Sequence, residues 1–316
     1  MKILANDGIS VSGVEALENA GFEVITTRVA QEQLINFINS NEIVALLVRS
    51  ATQVPKELID RCPGLKLIGR GGVGMDNIDV AHAREKGLHV VNTPAASSES
   101  VAELVFAHLF GGVRFLYSAN RQMPLEGDTQ FKNLKKSYAK GTELRGKTLG
   151  ILGFGRIGQA TARIALGIGM NVIYHDPYME EANLTLDFFD GQKLSFSFKS
   201  SAKEEVLKTA DFITLHVPAQ KEYVLGKPEF GKMKKGVGII NASRGGVLDE
   251  AALLRALDSG QVGFAGLDVY ESEPVPEIKV LMHPGLSLSP HIGAATSEAQ
   301  DRIGLELAEQ IIRLIK

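Results

Sequence analysis

The chain of 316 residues contains no tryptophan and a single cysteine, Cys62. One cysteine cannot form an internal disulfide bond, and it lacks the partners that a zinc site needs. Long runs of one charge are also missing, and the formal net charge is only -3. This balance argues against nucleic acid or a membrane surface as a partner. Together these absences favour a cytoplasmic protein with no metal site.

Long apolar runs are missing as well. The longest stretch of this kind, 101–113, is broken by Glu103 and His108 and is too short to span a bilayer. The residues from Met1 to Asp7 read as a first strand and lack the anatomy of a signal peptide. We therefore expect neither a membrane span nor a secretory leader.

The patterns that are present alternate between short apolar strands and amphipathic helices. In the first part, strands are expected at 2–5, 23–26, 43–48, 65–69 and 89–92, and helices at 12–20, 31–39, 56–61 and 80–86. A second series of strands is expected near 149–152, 170–174, 211–216, 238–241, 263–268 and 286–289, with a closing helix at 296–315. Regular alternation predicts an α/β fold with two doubly wound, Rossmann-like domains built on parallel sheets.

Three segments depart from this alternation. A long apolar helix is expected at 97–116, and 120–142 reads as an irregular, basic arm. The segment 188–200 reads as a hairpin insert, because Gly191 separates two apolar stretches.

A glycine-rich turn follows the first strand of the second series. Gly153, Gly155 and Gly158 form Gly-x-Gly-x-x-Gly between an apolar strand and a helical stretch. The glycines permit a tight turn, a close approach of pyrophosphate to the backbone, and close packing of the helix on its strand. A purely structural turn is the alternative, but this context favours a dinucleotide. Asp176 ends the next strand, where a carboxylate accepts hydrogen bonds from ribose hydroxyls and repels a 2′-phosphate, so NAD is favoured over NADP.

Three later strands each end near a titratable side chain: Arg244, Glu273 and His291. The carboxyl ends of parallel strands line the ligand site of an open α/β sheet. An arginine can hold a substrate carboxylate, a histidine can exchange a proton with a hydroxyl, and a glutamate can orient the imidazole. This set describes hydride transfer on a 2-hydroxy acid.

Four motifs carry a resemblance to the D-isomer-specific 2-hydroxyacid dehydrogenase family. They are Gly-Phe-Gly-Arg-Ile-Gly (153–158), Asn-Ala-Ser-Arg-Gly-Gly (241–246), Leu-Asp-Val-x-x-x-Glu-Pro (267–274) and Pro-His-Ile-Gly-Ala-Ala-Thr (290–296). The resemblance covers essentially the whole chain and implies that Arg244 anchors the substrate carboxylate, Glu273 is the partner, and His291 is the acid/base. It also implies a substrate-binding domain at 1–97 and 288–316, an NAD-binding domain at 98–287, and a homodimer built on the latter.

Sites for the cofactor and the substrate follow from the motifs and the resemblance together. The expected cofactor-binding residues are Gly153, Gly155, Arg156, Ile157, Gly158, Asp176, His216, Pro218, Ala242, Ser243, Arg244, Asp268, His291, Gly293 and Ala294. The expected substrate-binding residues are Arg49, Ser50, Arg70, Gly72, Val73, Gly74, Arg244 and His291.

Within the family, 48–52, 71–79 and 141–148 are most similar to the branch that oxidises 3-phosphoglycerate. A phosphorylated substrate needs a cation cluster, and Arg49 and Arg70 each follow a strand of the first domain. The loop 95–99, Ala-Ala-Ser-Ser-Glu, departs from the Asn and Gly that the family often has there. Glyoxylate or hydroxypyruvate reduction, D-lactate-type activity, and an NAD-sensing corepressor resembling the C-terminal-binding proteins are the alternatives. Because the sequence ends at Lys316, we expect no serine-binding regulatory domain.

Overall fold

The computed structural model describes residues 1–315 and divides into two compact units. Unit 1 comprises Met1–Ser100 together with the C-terminal segment that starts at Ala294. Unit 2 comprises Val101–Gly293. The dividing points differ by a few residues from the 97/98 and 287/288 boundaries expected from the sequence. The residues from Leu288 to Gly293 belong to unit 2, because Leu288 ends a strand of its sheet and the other five follow that strand directly.

Unit 1 is built on one five-stranded parallel sheet of order β2-β1-β3-β4-β5. Its strands are β1 (Lys2–Ala5), β2 (Glu23–Ile25), β3 (Ile43–Val48), β4 (Leu67–Arg70) and β5 (His89–Asn92). Its helices are α1 (Val11–Asn19), α2 (Leu34–Ser40), α3 (Lys56–Arg61), α4 (Val80–Glu85) and α13 (Ser297–Ile315). The expected strands and helices are therefore confirmed to within a few residues at each end.

The closing helix α13 packs against α1 on one face of this sheet. Gly13 and Gly304 lie where the two helices meet, and a Cβ added to Gly13 would come within 2.9 Å of the Gly304 Cα. Ile303, Leu307 and Ile311 of α13 share a buried core with Ile3 of β1. The two glycines permit α13 to pack closely on α1. The shared apolar core then stabilises α13 against β1.

Unit 2 is built on a six-stranded parallel sheet of order β13-β12-β11-β10-β6-β7. Its strands are β6 (Thr148–Leu152), β7 (Asn171–His175), β10 (Phe212–Leu215), β11 (Val237–Asn241), β12 (Val262–Leu267) and β13 (Leu286–Leu288). Its helices include α8 (Arg156–Gly167), α9 (Lys203–Thr209), α10 (Lys227–Phe230), α11 (Glu250–Asp258) and α12 (Ile278–Leu281). The strand order reverses at β6, so the turn after β6 lies where such sheets bind ligands.

The expectation of an irregular arm at 120–142 is wrong. Helix α5 (Ser98–Val113) ends earlier than expected, and α6 (Leu116–Glu126) and α7 (Phe131–Ser137) follow it. Phe115, with φ of 55°, separates α5 from α6. Helix α6 buries no side chain and carries Pro124 in its interior, so its sequence has neither the apolar stripe nor the propensity by which a helix is recognised.

Among residues 1–315, no single helix combines the length and the hydropathy that crossing a membrane requires. Helices α5 and α6 meet that criterion only when taken together, and they bend by 59° at their junction.

The hairpin insert is confirmed, but it begins earlier than expected. Strands β8 (Glu181–Asp187) and β9 (Lys193–Lys199) pair antiparallel, and Gly191 has φ of 86° in the turn between them. On one face of the hairpin, ion pairs of 2.7 Å join Glu181 to Lys199 and Asp187 to Lys193. The other face is apolar at its base, where it packs on the core of unit 2.

Candidate active site

The turn between β6 and α8 has the geometry of a phosphate cradle. Gly153 has φ of 91°, and a Cβ there would lie 2.4 Å from the carbonyl oxygen of His216. A Cβ on Gly158 would lie 2.3 Å from the carbonyl oxygen of Gly153. Gly155 instead faces open space and begins α8 without a side-chain cap. Two glycines therefore allow tight packing, and the third leaves room beside the free N–H groups of the helix N-terminus.

Asp176 follows β7 and is fixed by the backbone around it. One carboxylate oxygen accepts the N–H of Phe154 at 2.7 Å, and the other accepts the N–H of Tyr178 at 2.8 Å. The first of these bonds ties the carboxylate to the glycine turn. Each oxygen can accept a further hydrogen bond, as ribose hydroxyls would require.

His216, which follows β10, has one ring nitrogen in use. Its Nε2 lies 3.0 Å from the Thr214 hydroxyl and 3.3 Å from the Thr161 hydroxyl. Within residues 1–315, no hydrogen-bond partner lies near its buried Nδ1. Burial lowers the pKa of this imidazole to about 3, so the ring is neutral near pH 7. A buried nitrogen without a partner beside the glycine turn is the kind of group that a bound ligand would satisfy.

Arg244 lies in a loop that the preceding asparagine shapes. The side chain of Asn241 accepts the N–H and the hydroxyl of Ser243 at 3.1 and 2.9 Å, and it donates to the carbonyl of Arg244 at 2.8 Å. The Arg244 guanidinium donates to the Ser243 carbonyl at 2.7 Å. The next residue, Gly245, packs so closely that a Cβ there would lie 1.9 Å from the carbonyl oxygen of Tyr270. The Arg244 loop is therefore held against the segment that leads to Glu273.

Glu273 and His291 form the pair that the sequence predicts. The Nδ1 atom of His291 lies 2.8 Å from Glu273 Oε2, and Glu273 Oε1 accepts the N–H of Tyr270 at 3.0 Å. The His291 side chain keeps 45% of its surface exposed, so the ring remains open to a small molecule. His291 has φ of 55°, a conformation that a residue other than glycine adopts only where its surroundings hold it.

Asp268 holds the loop that contains His291. This buried carboxylate accepts the N–H groups of Ile292 and Gly293, each at 2.8 Å, and the hydroxyl of Ser289 at 2.6 Å. The Ser289 hydroxyl also lies 3.0 Å from Nε2 of the buried His108. Burial lowers the pKa of His108, and its imidazole links α5 to the loop that carries the acid/base candidate.

The substrate-residue candidates of unit 1 surround a glycine loop after β4. Val48 at the end of β3 pairs with Arg70 at the end of β4, which places Arg49 and Arg70 on neighbouring chain segments. The Arg49 Cγ would lie 3.5 Å from a Cβ on Gly71, and the Arg70 Nη1 occupies the space where a Cβ on Gly72 would sit. Both side chains therefore run along the same loop.

The backbone at Arg49 is fixed by two polar side chains. Asp7 accepts the N–H groups of Arg49 and Thr52 at 2.7 and 3.0 Å, and Asn77 donates to the carbonyls of the same two residues at 2.8 and 2.6 Å. These contacts hold the turn that carries Arg49 and Ser50.

The remaining predicted site residues lie close in sequence to the residues described above. Arg156 and Ile157 open α8, Ala242 precedes Ser243, and Pro218 is exposed beyond His216. In unit 1, Ala294 accepts Gln300 Nε2 at 2.7 Å, and Val73 accepts Asn92 Nδ2 at 2.7 Å. Gly74 continues that loop. The sequence did not indicate the roles of Asn241, Tyr270 or His108, although a histidine within an apolar helix was a usable signal for His108.

The residues present fit the dinucleotide that the sequence predicts. The cradle at Gly155 has space beside uncapped helix N–H groups, and His216 Nδ1 is a buried donor or acceptor without a partner among residues 1–315. The carboxylate of Asp176, tied to that cradle, suits a ribose diol and disfavours a 2′-phosphate.

The chain is similar to known proteins over its whole length. Residues 106–293 match the family model described as D-isomer specific 2-hydroxyacid dehydrogenase, NAD binding domain. A hydroxypyruvate reductase from Thermotoga maritima is 40% identical over 318 residues, which cover 99% of this chain and 97% of the relative. A D-3-phosphoglycerate dehydrogenase from Methanocaldococcus jannaschii is 38% identical. The match covers 100% of this chain and only 58% of the length of that relative.

A solved structure is similar over the whole chain. The TT0316 protein from Thermus thermophilus has a TM-score of 0.85 and 31% sequence identity, and the match covers 100% of this chain and 97% of that one. The chain belongs to the D-isomer-specific 2-hydroxyacid dehydrogenase family and is an NAD-dependent D-2-hydroxyacid dehydrogenase.

Proposed function

We propose that this protein oxidises D-3-phosphoglycerate to 3-phosphohydroxypyruvate with NAD, the first step of serine biosynthesis. The observation that carries the proposal is the pair of arginines, Arg49 and Arg70, along one glycine loop of unit 1. Two guanidinium groups suit a substrate whose phosphate adds about two negative charges to those of a simple hydroxy acid.

In this proposal, residues 1–97 and 288–316 bind the substrate and residues 98–287 bind NAD. The cofactor residues are those named from the sequence, with the glycine cradle holding the pyrophosphate and Asp176 the ribose. NAD, when bound, accepts the hydride from the substrate carbon or returns it.

The chemistry of this chain rests on three side chains. Arg244 binds the substrate carboxylate with its planar fork and orients the hydroxyl-bearing carbon. His291 takes the hydroxyl proton at Nε2 during oxidation and returns it during reduction, because Nδ1 already faces Glu273. Glu273 accepts a hydrogen bond from Nδ1 and so orients the ring. Its own position is fixed by the N–H of Tyr270.

Hydroxypyruvate reduction is the second candidate. It is favoured by the 40% identity to the Thermotoga maritima relative, which matches over 97% of its length. The loop Ala-Ala-Ser-Ser-Glu at 95–99 also supports it, because this loop lacks the polar Asn and carries an acidic residue. Both candidate functions use Arg244, Glu273 and His291, so the residues of unit 1 must determine which substrate is preferred.

The deciding experiment compares kcat/KM for 3-phosphohydroxypyruvate, hydroxypyruvate and glyoxylate with NADH, and for 3-phosphoglycerate, glycerate and D-lactate with NAD. We expect the phosphorylated substrates to be preferred, and Arg49→Ala to lower kcat/KM for them far more than for hydroxypyruvate. Arg84→Ala removes an exposed guanidinium of the same unit and serves as the control. A preference for hydroxypyruvate would overturn the phosphoglycerate proposal and favour the second candidate.

We also propose that the protein acts in the cytoplasm as a homodimer through the NAD-binding region. Sedimentation equilibrium tests the dimer, and a monomer at micromolar concentration would contradict it.

A further inference from the structure

Ser200 directly follows the hairpin of β8 and β9, and its hydroxyl forms hydrogen bonds with the backbone of Asp176. The N–H of Asp176 donates to Ser200 Oγ at 3.0 Å, and the same hydroxyl donates to the Asp176 carbonyl at 3.0 Å. One side chain thus satisfies both backbone groups of the residue that the cofactor proposal assigns to the ribose.

Ser200 also closes the far end of the loop that Asp176 begins. Its N–H donates to the Glu180 carbonyl at 2.7 Å, and the next N–H, of Ser201, donates to the Tyr174 carbonyl at 2.8 Å. The loop 176–180 is therefore held at its first residue by the Ser200 hydroxyl and at its last by the Ser200 backbone.

The hairpin itself is anchored to the glycine turn. Phe198 of β9 packs on Phe154, with ring centroids 6.3 Å apart, and Phe154 stacks on Tyr174 at 3.8 Å. Phe154 is the residue whose N–H binds the Asp176 carboxylate. Ser200 therefore extends from a packed base and not from a free strand end.

We propose that Ser200 is a positioning residue that sets the orientation of Asp176 and, through it, the preference for NAD over NADP. This inference rests on the proposed role of Asp176 at the ribose. Two backbone N–H groups orient the carboxylate, and the Ser200 hydroxyl orients the backbone from which it extends. A carboxylate held in one place accepts the two ribose hydroxyls and opposes a 2′-phosphate at close range, whereas a mobile one makes weaker hydrogen bonds and can turn away from the phosphate.

The test uses Ser200→Ala together with the isosteric pair Ser200→Thr and Ser200→Val, which differ in the hydroxyl. The measurements are Kd for NADH and NADPH by fluorescence without substrate, and KM and kcat with the best 2-oxo acid. We expect Ser200→Ala and Ser200→Val to weaken NADH about three- to tenfold, with NADPH unchanged or tighter and kcat at saturating NADH retained. Ser200→Thr keeps the wild-type ratio of the two affinities.

Ser197→Ala is the matched control, because this exposed hydroxyl of β9 donates to Asn183 and not to Asp176. It leaves the NADH to NADPH ratio unchanged. Equal ratios for the Thr and Val variants, both with wild-type Tm, would overturn the proposal. Asp176→Ala distinguishes the role of Asp176 from that of Ser200. If this variant leaves the NADH to NADPH ratio unchanged, Asp176 does not set the preference. If it abolishes the preference while Ser200→Val does not, only the role of Ser200 is wrong. The binding readout does not depend on which 2-hydroxy acid is the substrate.

Discussion

The carboxylate of Glu273 joins two segments of unit 2: one oxygen lies 2.8 Å from Nδ1 of His291, and the other accepts the N–H of Tyr270. Glu273→Gln keeps a hydrogen-bonding side chain of the same size but removes the negative charge. We expect kcat to fall about ten- to a hundredfold, because the protonated imidazole loses its counter-charge. KM for NADH should stay near the wild-type value. Steady-state kinetics measures both, and unchanged turnover would contradict the orienting role.

Replacing the acid/base itself has a larger effect. His291→Asn should lower kcat about a hundred- to ten-thousandfold, because no other group replaces the proton transfer. Binding of NADH, measured by fluorescence, should remain. If the variant keeps near-normal turnover, His291 is not the acid/base.

Arg244 should act mainly through substrate binding. Arg244→Lys keeps the charge but loses the planar fork, so KM for the 2-oxo acid should rise about tenfold or more while NADH binding is retained. Arg255→Lys, on the exposed face of α11, is the control and should leave KM unchanged. A KM within about twofold of the wild-type value would show that Arg244 does not anchor the substrate carboxylate.

Gly245→Ala tests the packing between the loops that carry Arg244 and Glu273. The new Cβ would lie 1.9 Å from the Tyr270 carbonyl oxygen, so the backbone must shift. We expect loss of most activity and a free energy of unfolding lower by about 1–3 kcal/mol. Gly246→Ala, where a Cβ meets nothing within 4 Å, is the neighbouring control. Equal activity of the two variants would show that the close contact is unimportant.

Two histidines whose pKa values are lowered by burial predict a loss of stability in acid. The pKa of His216 is lowered to about 3 and that of His108 is lowered, in both cases chiefly by burial, from an ordinary value of 6.5. Below pH 6.5 the two imidazoles bind protons in the unfolded chain but stay neutral in the folded protein. The free energy of unfolding should therefore fall as the pH decreases, by at most about 1.4 kcal/mol per pH unit for each histidine.

Urea unfolding at pH 8, 6.5 and 5 measures this dependence. His216→Gln should reduce the slope between pH 6.5 and 5, whereas His89→Gln, on an exposed side chain, should not. The same slope in both variants would exclude His216 as a source of the effect.

The sequence predicts the central sheets well, because their strands carry apolar runs bounded by clear turns. Lys2–Ala5 and Ile43–Val48 begin and end at the expected residues. Helix α6 was missed because its apolar side chains, such as Leu116 and Leu125, remain exposed and form no buried stripe. A helix without a buried face gives no periodic signal.

The pairing of Glu273 with His291 could also be expected, because both follow parallel strands whose carboxyl ends share one edge. The contacts that hold the site residues in place could not be expected from the sequence. The link from His108 through Ser289 to Asp268 joins residues far apart in the chain, and the bonds of Ser200 to Asp176 depend on the length of the hairpin. Such contacts depend on tertiary packing, which the local pattern does not encode.

The packing of α13 on α1 has a consequence for synthesis on the ribosome. All of unit 2 is translated between β1 and α13, and domains generally fold as units as they emerge. Ile3 and Leu17 therefore lack contact with Ile303, Leu307 and Ile311 until α13 leaves the exit tunnel. Unit 1 therefore begins before unit 2 and is completed after it, so the face of its sheet that α13 covers stays exposed while unit 2 is synthesised.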